Sequence, residues 1–378
     1  MNINQKKIIR AATIDWSVDF FRDIMIKMRK KGYNMIALSS PGDKLTKLNT
    51  EFGFQIIEVP MARHISIWKD IKALAKMISV FRKEKPIIVH SITPKAGLLC
   101  MIAAWLVRVP MRIHTFTGLV WPTATGFKKK ILMTTDIVIC SCATHIIPEG
   151  EGVKYDLQTY ITNKDMHVLG FGNVQGVDLS FWNPYNYKDL KENDVFQFLF
   201  TGRIVGDKGI NELVWAFVKL HELYPDTRLM LTGVYEKELD PLLNETEKEI
   251  YTNDSIEING PFKGDDLVKL YAQADCFVMP SYREGFPNAV LEAGAMGLPQ
   301  IVTDINGSRE IIIHGENGLI VPAKDKEALF EAMRLLYEDE NLRNKLSSKA
   351  REMIASRFER SFVQKCQIDF YKEILEKE

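Results

Sequence analysis

The chain carries no excess of charge of either sign: 49 Lys and Arg balance 49 Asp and Glu. Without a net field there is no global attraction to nucleic acid, and any pull toward anionic lipid must come from a local patch. Cysteine is scarce and scattered. Cys100, Cys140, Cys142, Cys276 and Cys366 form no CxxC and no metal-ligand spacing, and such an odd, dispersed set fits a reducing cytosol rather than a disulfide framework. Long hydrophobic runs are missing as well. The longest, Ala96 to Val107, has 12 residues, against roughly 20 for a membrane-spanning helix, so it reads as a buried helix. Residues 1–13 lack the long apolar core of a signal peptide, and cytoplasmic placement is expected. No GxGxxG follows a strand-like run, which argues against a nicotinamide-dependent dehydrogenase. No Asp-x-Asp stands at a strand end placed to hold a divalent metal, since Asp265-Asp266 follows a loop glycine; neither a metal nor a cofactor is expected. Low-complexity segments and short repeats are absent.

What is present describes a folded protein of more than one core. At 378 residues and 46% hydrophobic content, two domains are expected. The first half alternates strand and helix signals. Strands are predicted at 8–13, 34–39, 54–59, 86–90 and 112–115, with helices at 20–31, 67–82 and 95–107. Glycines at 170, 172 and 176, then Asn183-Pro184, break the pattern and read as a linker. The alternation resumes with strands at 196–201, 228–232, 255–259, 276–279 and 300–302, and a helix at 209–223. This is the pattern of α/β, doubly wound parallel sheets. A charged final helix is predicted over 358–378.

Two segments carry chemistry. In the first, Phe198-Leu-Phe-Thr-Gly-Arg-Ile-Val-Gly-Asp-Lys-Gly209, a buried strand ends at Thr201 and Gly202 permits a tight turn. Arg203 and Lys208 then offer a planar fork and a mobile point charge to an anion such as a diphosphate. In the second, Ser281-Tyr-Arg-Glu-Gly-Phe-Pro-Asn-Ala-Val-Leu-Glu292, Glu284 lies in the loop after a short strand and Glu292 one turn into the next helix. Pro287 suits a first-turn position. The free N–H groups of Gly285, Phe286 and Asn288 can face an anion.

Glu284-Gly-Phe-Pro-Asn-Ala-Val-Leu-Glu292 resembles the E-x7-E signature of retaining glycosyltransferases of family 4, which have the GT-B fold: two Rossmann-like domains with an interdomain cleft. The Gly-Arg…Lys-Gly segment matches that family too, and the resemblance spans nearly the whole chain. It implies an N-terminal acceptor domain at 1–172, a linker at 173–194, a nucleotide-sugar domain at 195–357, and a last helix at 358–378 that packs back on the first domain. It implies that Glu284 contacts the transferred sugar, Glu292 the ribose, and Arg203 and Lys208 the diphosphate. Gly202, Gly233, Pro261, Phe262, Gly285, Phe286, Pro287 and Asn288 would complete the donor site.

His90-Ser-Ile-Thr-Pro-Lys-Ala-Gly97 resembles the H-x-x-T-P-K-A-G segment of bacterial transferases that act on lipid-linked oligosaccharides. It assigns His90, Thr93 and Lys95 to the acceptor, with Ser17 in the turn after the first strand. That turn lacks the glycines of many relatives. In the family a His often precedes the glycine at position 118. Here Thr117 stands there and the imidazole is at His114, which is either a catalytic group or a buried hydrogen-bonded histidine. Lys128-Lys-Lys130, with Trp121 and Phe127, is either a lipid-contacting patch or a solvated helix start.

The implied activity is transfer of a hexosyl group from a nucleoside-diphosphate sugar, foremost a UDP-sugar, to a lipid-diphosphate-linked saccharide. The setting would be capsule, O-antigen or exopolysaccharide synthesis at the inner face of the cell membrane. A UDP-sugar epimerase of the same fold and a non-catalytic sugar-nucleotide-binding subunit remain the alternatives.

Overall fold

The computed structural model describes residues 6–62, 66–190, 194–238 and 240–376. The chain divides into two compact units. One comprises the residues up to Gln175 and those from Ser361 onward; the other is Gly176–Arg360.

In the first unit the strands are β1 (Lys7–Ala11), β2 (Asn34–Ser39), β3 (Gln55–Glu58), β4 (Ile88–Ile92), β5 (Met111–Phe116) and β6 (His145–Pro148). Among the described residues they form one parallel sheet in the order β3-β2-β1-β4-β5-β6. The helices are α1 (Asp19–Lys30), α2 (Asp43–Thr50), α3 (Ile67–Glu84), α4 (Pro94–Leu106), α5 (Gly126–Cys142) and α6 (Glu151–Tyr160). Successive strand residues face opposite sides. Ile8, Ile88 and Ile147 join one core and Ile9, Val89 and Ile146 the other. Both faces are covered, as an all-parallel sheet requires.

The second unit repeats the plan. Its strands are β7 (Phe196–Thr201), β8 (Thr227–Thr232), β9 (Ile256–Asn259), β10 (Cys276–Met279), β11 (Gln300–Thr303) and β12 (Leu319–Val321), in the order β12-β11-β10-β7-β8-β9. Its helices are α7 (Ile210–Leu223), α8 (Asn244–Thr252), α9 (Asp265–Gln273), α10 (Asn288–Ala295), α11 (Ser308–Ile311), α12 (Lys326–Glu338) and α13 (Glu340–Phe358). In both sheets the winding reverses beside the first strand, between β1 and β4 and between β7 and β10. Ligands of open α/β sheets bind at the carboxyl ends of the strands at such a reversal.

Two expectations are modified. The segment expected as a linker is built into the second unit from Gly176 on: Val177 joins its core, and Trp182 packs edge-on against Tyr271 with ring centres 5.2 Å apart. The last three residues expected in the linker, 191–193, lie outside the described residues. The final helix starts at Arg360 rather than 358, because α13 runs to Phe358 first; it is α14 (Arg360–Glu376). Its expected last two residues also lie outside the described ones.

Helix α14 covers one face of the first sheet, where Phe370, Tyr371 and Ile374 join Phe21 and Ile24 in the core. Beneath it Arg10 is buried on β1. Its Nη1 donates to Tyr371 Oη at 2.7 Å and lies 2.9 Å from His90 Nδ1, while His90 Nε2 lies 2.7 Å from Thr115 Oγ1. Burial, then the Arg10 charge, holds His90 well below the usual imidazole range, so the neutral ring accepts at Nδ1. The guanidinium also sits over the Phe21 ring, 5.1 Å from its centre. Removing the Tyr371 hydroxyl strips a partner from a buried charge. Tyr371→Phe is therefore expected to cost about 1–3 kcal/mol in urea unfolding; a change within experimental error would show that α14 is held by apolar packing alone.

Candidate functional site

The reversal in the second sheet gathers the charged residues singled out in the sequence. Strand β7 ends at Thr201, and Gly202 and Gly233 then lie side by side, with the Gly202 N–H donating to Thr232 O at 2.9 Å. A Cβ on Gly233 would stand 1.7 Å from Gly202 O, so only glycine lets the turns after β7 and β8 approach this closely. Gly209 holds φ at +71°, and its Cβ would meet Pro280 O at 2.1 Å. That close approach sets the start of α7 against the end of β10.

The loops after β7 and β10 are tied together. Lys208 Nζ pairs with the Glu284 carboxylate, which also accepts from Ser281 Oγ at 2.8 Å. Arg283 Nη2 pairs with Asp207 Oδ2 at 2.9 Å, and the Tyr282 N–H donates to Asp207 O at 2.9 Å. Arg203 leaves the same turn, half-buried, and pairs with Glu236 at 3.2 Å. Both cations are thus held by carboxylates that an incoming anion can replace.

Helix α10 begins at Asn288, with Pro287 as its N-cap rather than in the first turn. Phe286 and Pro287 are buried, Phe286 against Phe358 at 5.3 Å between ring centres. The Phe286 ring is therefore part of the core. Glu292 keeps some accessible surface as a residue, but its carboxyl is enclosed. It accepts from Tyr271 Oη at 3.2 Å, and that hydroxyl lies 2.5 Å from Thr201 Oγ1. Burial pushes the Glu292 carboxyl up to about 7, against the opposing Tyr271 hydrogen bond. Pro261 and Phe262 follow the end of β9, both exposed.

Tyr271, Ser281, Asp207 and Glu236 were not singled out from the sequence. Ser281 and Asp207 adjoin the two motifs and were within reach of a motif reading. Tyr271, on α9, carries no local signal.

In the first unit the corresponding reversal, between β1 and β4, brings Thr13 and Thr93 together, their hydroxyls 2.7 Å apart. Thr93 holds φ at +76°, a strained conformation for a non-glycine residue, and Thr13 Oγ1 accepts the Ala96 N–H at 3.0 Å. Ser17 is buried in the short 3-10 turn Asp15–Val18. Thr117 is half-buried, just before Gly118.

Three of the expected site residues have defined partners in the first unit, and for His114 the structure favours the second of its two readings, a buried hydrogen-bonded histidine. His114 is 1% exposed. Its ring packs beneath Gly97 of α4, where a Cβ would stand 2.4 Å from His114 Cε1. Nδ1 lies 2.8 Å from Ser91 Oγ, and burial pushes the imidazole down to about 3. It is a buried core histidine. His90, 3% exposed, is likewise committed, to Arg10, Tyr371 and Thr115. Lys95 Nζ pairs with Asp70 on α3 at 2.8 and 3.0 Å, a carboxylate pairing of the same kind as Lys208 with Glu284.

Comparison with known proteins agrees with this geometry. Residues 186–353 match the model of glycosyl transferases group 1, and residues 20–169 match a glycosyl transferase 4-like domain. The chain is 34% identical to the capsular polysaccharide biosynthesis glycosyltransferase CapM of Staphylococcus aureus, over 94% of each chain. It belongs to glycosyltransferase family 4. Another relative, the UDP-Gal:α-D-GlcNAc-diphosphoundecaprenol α-1,3-galactosyltransferase of Escherichia coli, is 29% identical over 79% of this chain and 78% of its own. Among solved structures, sucrose-phosphate synthase of Thermosynechococcus elongatus superposes with a TM-score of 0.82 at 18% identity, covering 99% of this chain and 100% of its own. The Anabaena protein HepE, in complex with UDP and glucose, gives 0.79 at 16%, covering 97% and 100%. This family 4 glycosyltransferase has the GT-B fold.

Proposed function

We propose that this glycosyltransferase moves a hexosyl group, with retention, from a UDP-sugar to a lipid-diphosphate-linked saccharide during surface polysaccharide assembly. The observation that carries the reading is the convergence of Arg203, Lys208, Glu284 and Glu292 at the β7/β10 reversal. Two cations and the start of α10 suit a diphosphate, and two carboxylates suit sugar and ribose hydroxyls. The names of the S. aureus and E. coli relatives supply the capsular setting, the UDP donor and the lipid-diphosphate acceptor.

In the proposed reaction the bond from the anomeric carbon to the diphosphate oxygen breaks as the acceptor oxygen attacks from the same face. The departing phosphate takes the acceptor proton. Arg203 and Lys208 stabilise the charge that develops on the leaving group. The donor site would be completed by Gly202, Gly233, Pro261, Phe262 and the backbone of Gly285 and Phe286.

Among the described residues no helix is long and apolar enough to cross a membrane. Contact with the inner membrane surface would then be peripheral. The start of α5 favours it, because Phe127 stands exposed beside Lys128, Lys129 and Lys130.

A thermal-shift panel of UDP-, GDP- and dTDP-sugars, followed by transfer to a polyprenyl diphosphate-linked sugar, tests the reading. Stabilisation by a UDP-sugar and acceptor-dependent product formation are expected. Epimerisation of the UDP-sugar without an acceptor, or binding without transfer, would overturn it. Because Lys208 and Arg203 supply the countercharge, activity is also expected to persist in excess EDTA. Complete loss, restored by Mg²⁺ or Mn²⁺, would refute the metal-free mechanism.

A further inference from the structure

The enclosed carboxyl of Glu292 is aimed by a second buried side chain. Tyr271, on α9, is 0% exposed. Its ring stacks on Phe277 of β10 with 5.7 Å between centres and meets Trp182 edge-on at 5.2 Å. Held on both sides, the ring cannot follow a moving carboxylate. Its hydroxyl is fixed where β7, α9 and α10 converge: 2.5 Å from Thr201 Oγ1, 3.2 Å from Glu292 Oε2 and 3.4 Å from Ala289 O.

The phenol has one proton to give. Ala289 O and an ionised Glu292 carboxylate accept only. The arrangement that satisfies all of them has Thr201 donating to the phenol oxygen and the phenol donating toward α10. Burial, then the Glu292 charge, keeps the Tyr271 hydroxyl well above the usual phenol range, so it stays a donor. Tyr271 takes one lone pair of Oε2. Acceptor capacity is left on both oxygens for a vicinal pair of hydroxyls.

Other charges near α10 are directed elsewhere. Helices α13 and α11 and strands β10 and β11 pack on it, and the two strands carry no charged side chain. Arg351 and Arg357 of α13 donate to Ala295 O and Ile311 O. On α11, Arg309 pairs with Asp304, and Glu310 accepts the Gly307 N–H. Arg203 and Lys208 pair with Glu236 and Glu284. Against burial, the Tyr271 hydrogen bond is what favours an ionised Glu292.

We infer that Tyr271 is a positioning residue for the donor's ribose, holding the Glu292 carboxylate so that the site tells a ribonucleotide from a deoxyribonucleotide. The inference rests on the proposed role of Glu292 and deepens it by naming what sets its selectivity.

Calorimetry of UDP and 2′-deoxy-UDP on the wild-type protein, Tyr271→Phe and Glu292→Gln is the test. The wild type is expected to prefer UDP by at least about tenfold, because a deoxyribose leaves a buried acceptor unpaired. In Tyr271→Phe that preference should fall by about fivefold or more, the worth of one hydrogen bond. The pH below which UDP affinity declines should also move upward, since the lost donor favoured the charged carboxylate. A purely packing role would move neither readout. An unchanged preference with an unchanged pH profile would overturn the inference, and so would equal losses of both nucleotides. Should Tyr271→Phe fail to fold, Thr201→Val carries the test, because it frees the phenol to turn toward Ala289 O; reduced preference supports the inference and unchanged preference overturns it. Absence of any wild-type preference, with normal UDP binding in Glu292→Gln, would bring down the ribose role of Glu292 as well. Failure of the Tyr271 role alone leaves the wild-type preference and the Glu292→Gln defect in place.

Discussion

Alanine at either Arg203 or Lys208 is expected to lower turnover by about 10²-fold or more, the usual cost of losing a preorganised electrostatic stabiliser. Both charges emerge from the turn after β7, beside the start of α10, where a departing diphosphate would gather charge. The fold should survive. The Arg203 side chain is 34% exposed and its pair with Glu236 is a surface pair, worth little to stability. Lys208 is more enclosed, with its side chain 15% exposed and that of Glu284 13%. Lys208→Ala leaves the half-buried Glu284 carboxylate without its cation, though still accepting from Ser281 Oγ, so the variant should lose some stability as well as turnover. Steady-state transfer assays beside thermal unfolding separate the two effects. Wild-type turnover in both single variants would remove these residues from the mechanism. Arg203→Lys keeps the charge but not the planar fork, and intermediate turnover is expected of it.

Much of the fold was legible from local pattern. Strands such as Asn34–Ser39, Phe196–Thr201 and Cys276–Met279 are short apolar runs closed by Gly, Pro or Ser, the pattern of a parallel strand buried on both faces, and their length and flanking turn residues set them apart from buried helix. Helices with a mixed surface were harder to see. In α13 the buried residues Leu346, Ala350, Ile354 and Phe358 recur every fourth position among many charges, so the stripe is narrow.

The site was legible in its parts and not in its assembly. Lys208 and Glu284 are 76 residues apart and meet because β7 and β10 are neighbours, a consequence of strand order that no local pattern encodes. Tyr271 reaches Glu292 for the same reason. His114 went the other way. Its strand position places it under α4, where Gly97 leaves room for the ring, and a motif comparison that counts residues along the chain does not register which face of a strand a side chain occupies. The pairing of Lys95 was not visible because its partner, Asp70, lies on a different helix.

The two glutamates should separate by what each replacement damages. Glu284 is held by Lys208 and Ser281 in the loop after β10, where the transferred sugar would lie. Glu284→Gln keeps the size and loses the charge. It is expected to lower turnover more than nucleotide affinity, because its contacts strengthen as positive charge grows on the sugar. Glu292 is proposed to accept ribose hydroxyls, and Glu292→Gln should weaken binding of UDP itself, since a carboxylate is the stronger acceptor. The raised Glu292 pKa, about 7, adds a pH signature. Below about 7 the free protein holds a proton on this carboxyl, and binding that favours the ionised form must expel it. UDP affinity should therefore fall by about tenfold for each pH unit below that value, beyond the titration of the nucleotide's own phosphate. Glu292→Gln supplies the reference, because only the nucleotide titrates in that variant. The sign for stability is opposite: a carboxyl whose folded pKa is raised favours the folded state at low pH, and that contribution is lost as pH rises through about 7. Calorimetry with UDP at pH 6 and pH 8, on both proteins, measures the difference. Parallel pH profiles would remove Glu292 from the ribose, and weaker UDP binding in Glu284→Gln with unchanged binding in Glu292→Gln would exchange the two roles.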